Sequence, residues 1–162
     1  MGFHILVLVS ETANLIEKIK YFHDENGLII AEFGETLFRA YVIIEKLETL
    51  AEIKEPLDIE EFKENINSLN DRFNVSEDYL FQSLTMELGI MSNIVTENLR
   101  YDFDIYTYND VYRICNSIYS YVLFILILVC KHRLNLDDIL QFNIDEARMR
   151  NTSLNLRDMD DC

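Results

Sequence analysis

The chain has 162 residues, 49% of them hydrophobic, with four glycines and one proline. This composition suits a single domain with one core, and it excludes both a disordered chain and a turn-rich β-sandwich. A formal charge of −15 repels a phosphate backbone and excludes general nucleic-acid binding. The three cysteines lack metal-type spacing and indicate no disulfide framework, so we expect a reducing, cytoplasmic setting.

The helical spacing of hydrophobic residues predicts an all-α fold, a compact bundle of about six helices without a secure strand. We expect a single domain over residues 1–151, a connecting loop at 99–107, and a tail at 152–162, where periodicity is absent. The predicted helices lie at residues 3–25, 28–50, 58–72, 76–98, 108–133 and 135–150.

Capping and breaking residues suggest where these helices begin and end. Asn26-Gly27 is expected to cap the end of the first helix, and Pro56 prevents continuation of the second. Ser76 and Asn135 are the expected N-caps of the fourth and sixth helices.

A weak internal repeat links the two halves of the chain, about 1–73 and 74–151. The segment ILVLVSETANLIEKI at residues 5–19 is echoed in position by FQSLTMELGIMSNIV at residues 81–95. The echo keeps one acidic residue, Glu87. Because no Gly/Ser-rich linker separates the halves, we expect a fused duplication that shares one core.

The most apolar stretch is IYSYVLFILILVC at residues 118–130. Its 13 residues fall short of the roughly 20 that a membrane-spanning helix requires. We therefore expect a central buried helix and no membrane segment.

Three carboxylates are the candidates for chemistry. Glu11 sits within an apolar run, and Glu32 and Glu35 share one face of the second helix. If the first two helices pack antiparallel, these groups and Asn14 bring four oxygen-bearing side chains together, which suits Mg²⁺. The alternative is that Glu32 and Glu35 form the solvated edge of an amphipathic helix, as is common in a chain with 29 acidic residues.

The pattern E11-T-A-N14, seventeen residues, then E32-F-G-E35 resembles the ExxE and ExxD motifs of the MazG-like all-α nucleoside triphosphate pyrophosphatases, with their dUTPase and dCTPase relatives. The chain departs from the motif by Asn at position 14 and by Glu at position 35. Both side chains still offer oxygen ligands, but Asn14 removes one negative charge and weakens Mg²⁺ affinity.

The resemblance covers most of residues 5–151 and implies roles for particular residues. Glu11, Glu32 and Glu35 would be catalytic, holding Mg²⁺ or Mn²⁺ against the triphosphate while a metal-oriented water attacks. Asn14 would help to bind substrate, and Glu87 would be a further metal ligand.

The end of the chain and the second half complete the resemblance. Arg148 and Arg150 fall near the family's last basic helix, where they would contact phosphate; salt bridges to surface acids are the alternative. Ser117 and Ser120, or Asn109 and Tyr112 in another register, stand where the family has Glu and Asp, so a complete second metal site is not expected.

Two function classes follow from the sequence. The first is a Mg²⁺-dependent nucleoside triphosphate pyrophosphatase, or a degenerate relative that binds a nucleotide. The second is a non-catalytic helical interaction protein, either a pseudoenzyme or a bundle that accepts a partner helix in a groove as Bcl-2-like proteins do. The expected partners are accordingly a nucleoside triphosphate or a protein, with a homodimer as a further option.

Overall fold

The computed structural model describes residues 1–22, 26–51, 75–100 and 106–145. Within these ranges every regular element is helical, which confirms the all-α prediction. The predicted helix at 58–72 and the predicted tail lie outside the described residues. The described helices are α1 (Gly2–Tyr21), α2 (Asn26–Ala51), α3 (Glu77–Arg100), α4 (Tyr108–Lys131) and α5 (136–145).

Short polar side chains start the later helices. The Ser76 hydroxyl accepts a hydrogen bond from the Tyr79 amide at 3.2 Å, and the Asn135 side chain accepts one from Asp137 at 3.0 Å, so both predicted N-caps are confirmed. Thr107 forms a reciprocal capping box with Asp110 at the start of α4.

The junction between α1 and α2 differs from the prediction. Asn26-Gly27 was expected to end the first helix, but α1 ends at Tyr21 and Asn26 already begins α2. The amide of Phe22 bonds to the Lys18 carbonyl and closes α1 there. The prediction at the Asn-Gly pair was wrong because capping preferences are local. They do not say whether the pair ends one helix or begins the next.

Four long helices form a bundle in which α1 packs against α2 and α3, and α4 packs against the same two helices. Helix α1 is antiparallel to α2, because Glu11 contacts Arg39 while the later Lys18 faces the earlier Glu32. Helix α1 is also antiparallel to α3, since the Lys20 ammonium lies 5.3 Å from the ring centroid of Phe81, near the start of α3.

The α3–α4 and α2–α4 pairs are also antiparallel. Glu77 at the start of α3 lies 3.2 Å from His132 just beyond the end of α4, and the His132 ring also lies 6.5 Å from that of Phe33 near the start of α2. Neighbouring helices are therefore antiparallel throughout. Helices α1 and α4 occupy one diagonal and run in the same direction, as do α2 and α3 on the other.

The core of α1 and the core of α3 occupy matching positions. All five buried residues of α1 have a buried residue at the position of α3 that the sequence echo aligns with it. Hydrophobic side chains at this spacing form a single stripe along each helix. The aligned residues are Ile5, Leu8, Thr12, Leu15 and Ile19 in α1, and Phe81, Leu84, Leu88, Met91 and Val95 in α3.

The helix predicted at 108–133 is confirmed as α4, which extends well before the apolar stretch at 118–130. Its 24 residues make it the one helix of the described chain that is long and apolar enough to cross a membrane, so the exclusion of a span by length was wrong. In this fold, 61% of its most apolar 18-residue window is buried, as in the core helix of a soluble bundle. Tyr121, at its centre, is fully buried.

Helix α5 docks onto α2 at a glycine. The Asn143 side chain donates a 2.7 Å hydrogen bond to the Gly34 carbonyl, and a Cβ at Gly34 would lie 2.6 Å from Asn143 Oδ1. Ile139, one turn earlier on α5, is fully buried. Because Gly34 has no side chain, α5 packs closely against the turn of α2 that carries Glu32 and Glu35.

We expect Gly34→Ala and Asn143→Ala to be coupled. In the wild-type background, alanine gains helix propensity but displaces Asn143 and its hydrogen bond, so stability changes little. In the Asn143→Ala background only the propensity remains, and Gly34→Ala stabilises by about 1 kcal/mol. Urea unfolding of the four proteins measures the difference; an equal effect of Gly34→Ala in both backgrounds would contradict the docking contact.

Candidate functional site

Glu11 lies in the interface between α1 and α2. Its Oε1 accepts hydrogen bonds from Arg39 Nε at 3.3 Å and from Arg39 Nη2 at 3.2 Å. The other oxygen, Oε2, is buried and has no hydrogen-bond partner. Burial raises the pKa of Glu11, although the Arg39 guanidinium opposes this, and the charge of Glu35 raises it further. The carboxylate is therefore only partly compensated.

Glu32 lies on α2 about two helical turns before Arg39. Its Oε2 is also buried without a hydrogen-bond partner. Burial raises the pKa of Glu32, the Glu35 and Glu11 carboxylates raise it further, and the Lys18 ammonium opposes them. Glu11, Glu32 and Glu35 thus act on one another across the α1–α2 interface, and we call them the acid cluster.

A basic side adjoins the acid cluster. Arg39 Nη1 lies 3.3 Å from His4 Nδ1, so the guanidinium bridges Glu11 and the imidazole. Burial, together with the charges of Lys46 and Arg39, lowers the pKa of His4 and favours the neutral ring. A neutral ring can accept the Arg39 hydrogen bond. His4, Arg39 and Lys46 are therefore the basic side of the site.

Sequence reasoning missed this basic side, although a signal was present. Arg39 follows Glu35 by four residues, which is the spacing of neighbours on one helix face. His4 precedes Glu11 by two helical turns on α1. The spacing indicates that each basic residue shares a face with an acid, but it does not indicate that the two faces meet.

A polar pair in the core lies next to the acid cluster. Thr12, which follows Glu11, donates to the Leu8 carbonyl at 2.6 Å and lies 2.6 Å from the Tyr121 hydroxyl. The contact crosses the diagonal of the bundle from α1 to α4. Thr36, next to Glu35, is fully buried and its hydroxyl has no hydrogen-bond partner.

The acid cluster offers oxygen ligands to a divalent cation. Two buried carboxylate oxygens without hydrogen-bond partners are hard ligands of the kind that Mg²⁺ takes, and both belong to the acid cluster. In the described ranges, no three His, Cys, Asp or Glu side chains are close enough together to form a complete metal-ligand group. The chemistry of the residues fits a cation held by few carboxylates and completed by water or phosphate.

Of the other predicted site residues, the structure describes Asn14 and Glu87. Asn14 is exposed on α1. Glu87 is buried on α3, and its charge is not among those that shift the pKa of Glu11 or Glu32. Arg148 and Arg150 lie outside the described residues. Of the site residues predicted from the sequence, the structure brings together the three glutamates of the first two helices.

The second half of the bundle has no equivalent set of acids on α4. Ser117 is buried and Ser120 is partly buried on this helix, at the positions that the resemblance aligns with Glu32 and Glu35. A site on the α3–α4 pair would therefore have Glu87 as its main acid.

The fold and the site together define a class: an antiparallel four-helix bundle with one acid cluster between its first two helices. No family model, curated protein or solved structure matches this chain.

Proposed function

We propose that the protein is a Mg²⁺-dependent nucleoside triphosphate pyrophosphatase, or a nucleotide-binding relative that has lost turnover, with its single site between α1 and α2. The observation that carries the proposal is the acid cluster itself, with two buried carboxylate oxygens left without hydrogen bonds. Such groups destabilise a fold unless a cation or proton compensates them. The presence of two such groups in one helix interface favours a functional role.

Glu11, Glu32 and Glu35 hold the cation in this proposal. A bound Mg²⁺ or Mn²⁺ would neutralise phosphate charge and orient a water toward the α-phosphorus, where attack would break the α–β bond and give the nucleoside monophosphate and pyrophosphate. Burial of Glu11 and Glu32 strengthens their attraction for a cation, because the local dielectric is low. Asn14, Glu87, Arg148 and Arg150 keep the roles that the resemblance implies as part of the proposal.

An internal duplication is part of the same proposal. It is supported by the matching buried stripes of α1 and α3 and by the helix directions. If the α1–α2 hairpin is exchanged with the α3–α4 hairpin, the same helix positions remain neighbours, and each neighbouring pair is still antiparallel. A fused pair of hairpins allows one half to retain acids while the other serves as scaffold.

Metal-dependent pyrophosphate release from a panel of ribo- and deoxynucleoside triphosphates tests the proposal. We expect release with Mg²⁺ or Mn²⁺, none with EDTA, and loss of activity in Glu35→Gln with the fold intact by circular dichroism. Glu45→Gln is the matched control, because Glu45 is an exposed acid of the same helix. Equal activity in wild type and Glu35→Gln would reject the site.

The competing function is a bundle that binds a protein partner without catalysis. The observation favouring it is a pair of exposed apolar side chains on α1, Phe3 at 71% and Leu6 at 52% exposure, which lie three residues apart on one side of the helix. No release and no metal-dependent stabilisation by any nucleotide would favour this second function.

A further inference from the structure

Arg39 makes an incomplete ion pair. Its Nε and Nη2 both contact the same oxygen of Glu11, at 3.3 and 3.2 Å, instead of each taking one oxygen of the carboxylate. The strong form of this pair is the fork, with two parallel bonds to two oxygens. Here Glu11 Oε2 stays buried without a partner, so one ligand atom of the acid cluster is not used by Arg39.

The third nitrogen contact of Arg39 is to an uncharged group. Nη1 lies 3.3 Å from His4 Nδ1, and burial favours the neutral ring of His4. The attraction of Arg39 for its surroundings therefore comes from the acid cluster: from Glu11, which it contacts, and from Glu35, one helical turn earlier on α2. A divalent cation in the acid cluster would neutralise that attraction and repel the guanidinium.

The surroundings of Arg39 suit an anion once Glu11 is occupied. Lys46 is close enough to act electrostatically on His4, as Arg39 does. The guanidinium matches phosphate oxygens in geometry and always carries its charge. In a chain of formal charge −15, a polyphosphate needs such a local concentration of positive charge.

We propose that Arg39 is a further phosphate-binding residue of the site, in addition to Arg148 and Arg150: a cation that takes over Glu11 releases the guanidinium, which then binds the polyphosphate of the substrate. This inference rests on the proposed function, because it requires a cation in the acid cluster. Arg39 then has two partners in turn: Glu11 in the metal-free protein, and phosphate in the protein that has bound cation and polyphosphate. It also predicts that cation and polyphosphate bind cooperatively.

Two binding measurements on the full chain test this assignment. Mn²⁺ binding is followed by electron paramagnetic resonance, and binding of inorganic triphosphate in the presence of Mn²⁺ is followed by calorimetry. In Arg39→Ala we expect Mn²⁺ to bind at least as tightly as in wild type, because a competing positive charge is gone. Triphosphate should bind about tenfold more weakly or worse, the loss expected for a charged hydrogen bond.

Two further variants separate recognition from folding. Arg113→Ala removes an exposed arginine on α4 and should bind both probes as wild type does. Arg39→Lys keeps a positive charge and should recover part of the triphosphate affinity, while circular dichroism reports whether each variant is folded.

The outcomes are distinguishable. If wild type does not bind Mn²⁺, the proposed function fails and this inference fails with it. If Mn²⁺ binds but Arg39→Ala keeps wild-type triphosphate affinity, only the assignment of Arg39 is overturned. If folded Arg39→Ala loses Mn²⁺ binding, Arg39 supports the acid cluster and the exchange of partners is rejected.

Discussion

Replacing Glu32 with glutamine is expected to abolish Mg²⁺-dependent pyrophosphate release while raising the melting temperature of the metal-free protein by about 2 °C. Glu32 has a buried oxygen without a hydrogen-bond partner, and its charge is opposed by burial and by Glu35 and Glu11. Glutamine keeps the shape and removes the charge. The same substitution therefore removes a metal ligand and relieves an unfavourable burial.

The pH dependence of this stabilisation follows from the sign of the pKa shift. A carboxyl whose pKa is raised in the folded state binds a proton more readily there than in the unfolded chain. Its charge therefore costs stability at neutral pH, and the cost disappears as pH falls through the folded-state pKa to the ordinary glutamate pKa of 4.5. The gain from Glu32→Gln should be largest near pH 7 and vanish near about pH 4.

Differential scanning calorimetry at several pH values, with Glu45→Gln as the exposed control on α2, measures this effect. The control should show neither the gain in melting temperature nor the loss of activity. A lower melting temperature for Glu32→Gln at pH 7 would mean that the carboxylate is satisfied in the fold. It would remove the main support for a functional acid cluster.

Thr12→Val is expected to destabilise the protein by about 2 kcal/mol, which is more than Tyr121→Phe. The Thr12 hydroxyl donates its one hydrogen to the Leu8 carbonyl, so the Tyr121 hydroxyl must donate to Thr12. Valine leaves the fully buried Tyr121 hydroxyl without an acceptor. Phenylalanine leaves Thr12 with its bond to Leu8, and we expect a cost of about 1 kcal/mol or less.

Urea unfolding of the two single variants and the double variant measures this asymmetry. The double variant should be more stable than Thr12→Val, because no hydroxyl remains unpaired. Thr96→Val is the control: Thr96 makes the same bond to the carbonyl one turn earlier, at 2.8 Å, but on the exposed face of α3. Equal costs for Thr12→Val and Tyr121→Phe would contradict the direction of the hydrogen bond.

Local patterns predicted much of the helical framework. The N-caps at Ser76 and Asn135 were confirmed, because a capping side chain acts on amides two or three residues away. The boundary at Asn26 was wrong for the same reason, since a local preference does not say which of two adjacent helices a residue serves. The helix predicted at 108–133 was confirmed as α4, Tyr108–Lys131, because its hydrophobic residues recur at helical spacing.

The candidate site was predicted in part. Helical spacing put Glu32 and Glu35 on one face, and the assumption of antiparallel packing brought Glu11 to them. The partner of Glu11 was not predicted, because Arg39 is 28 residues away and meets it only through helix packing. The contact of Thr12 with Tyr121 spans 109 residues and was likewise invisible.

The sequence by itself determined the all-α class and the helix faces, because hydrophobic spacing and capping are properties of neighbouring residues. Only the tertiary structure decided which charges are buried and which are paired. These depend on the order of helices around the bundle, where α1 adjoins α2 and α3 but lies diagonally from α4. Hydrophobic periodicity predicts which face of each helix is buried, but it does not predict which helix packs against that face. The charge partners of Glu11 depend on the neighbouring helix.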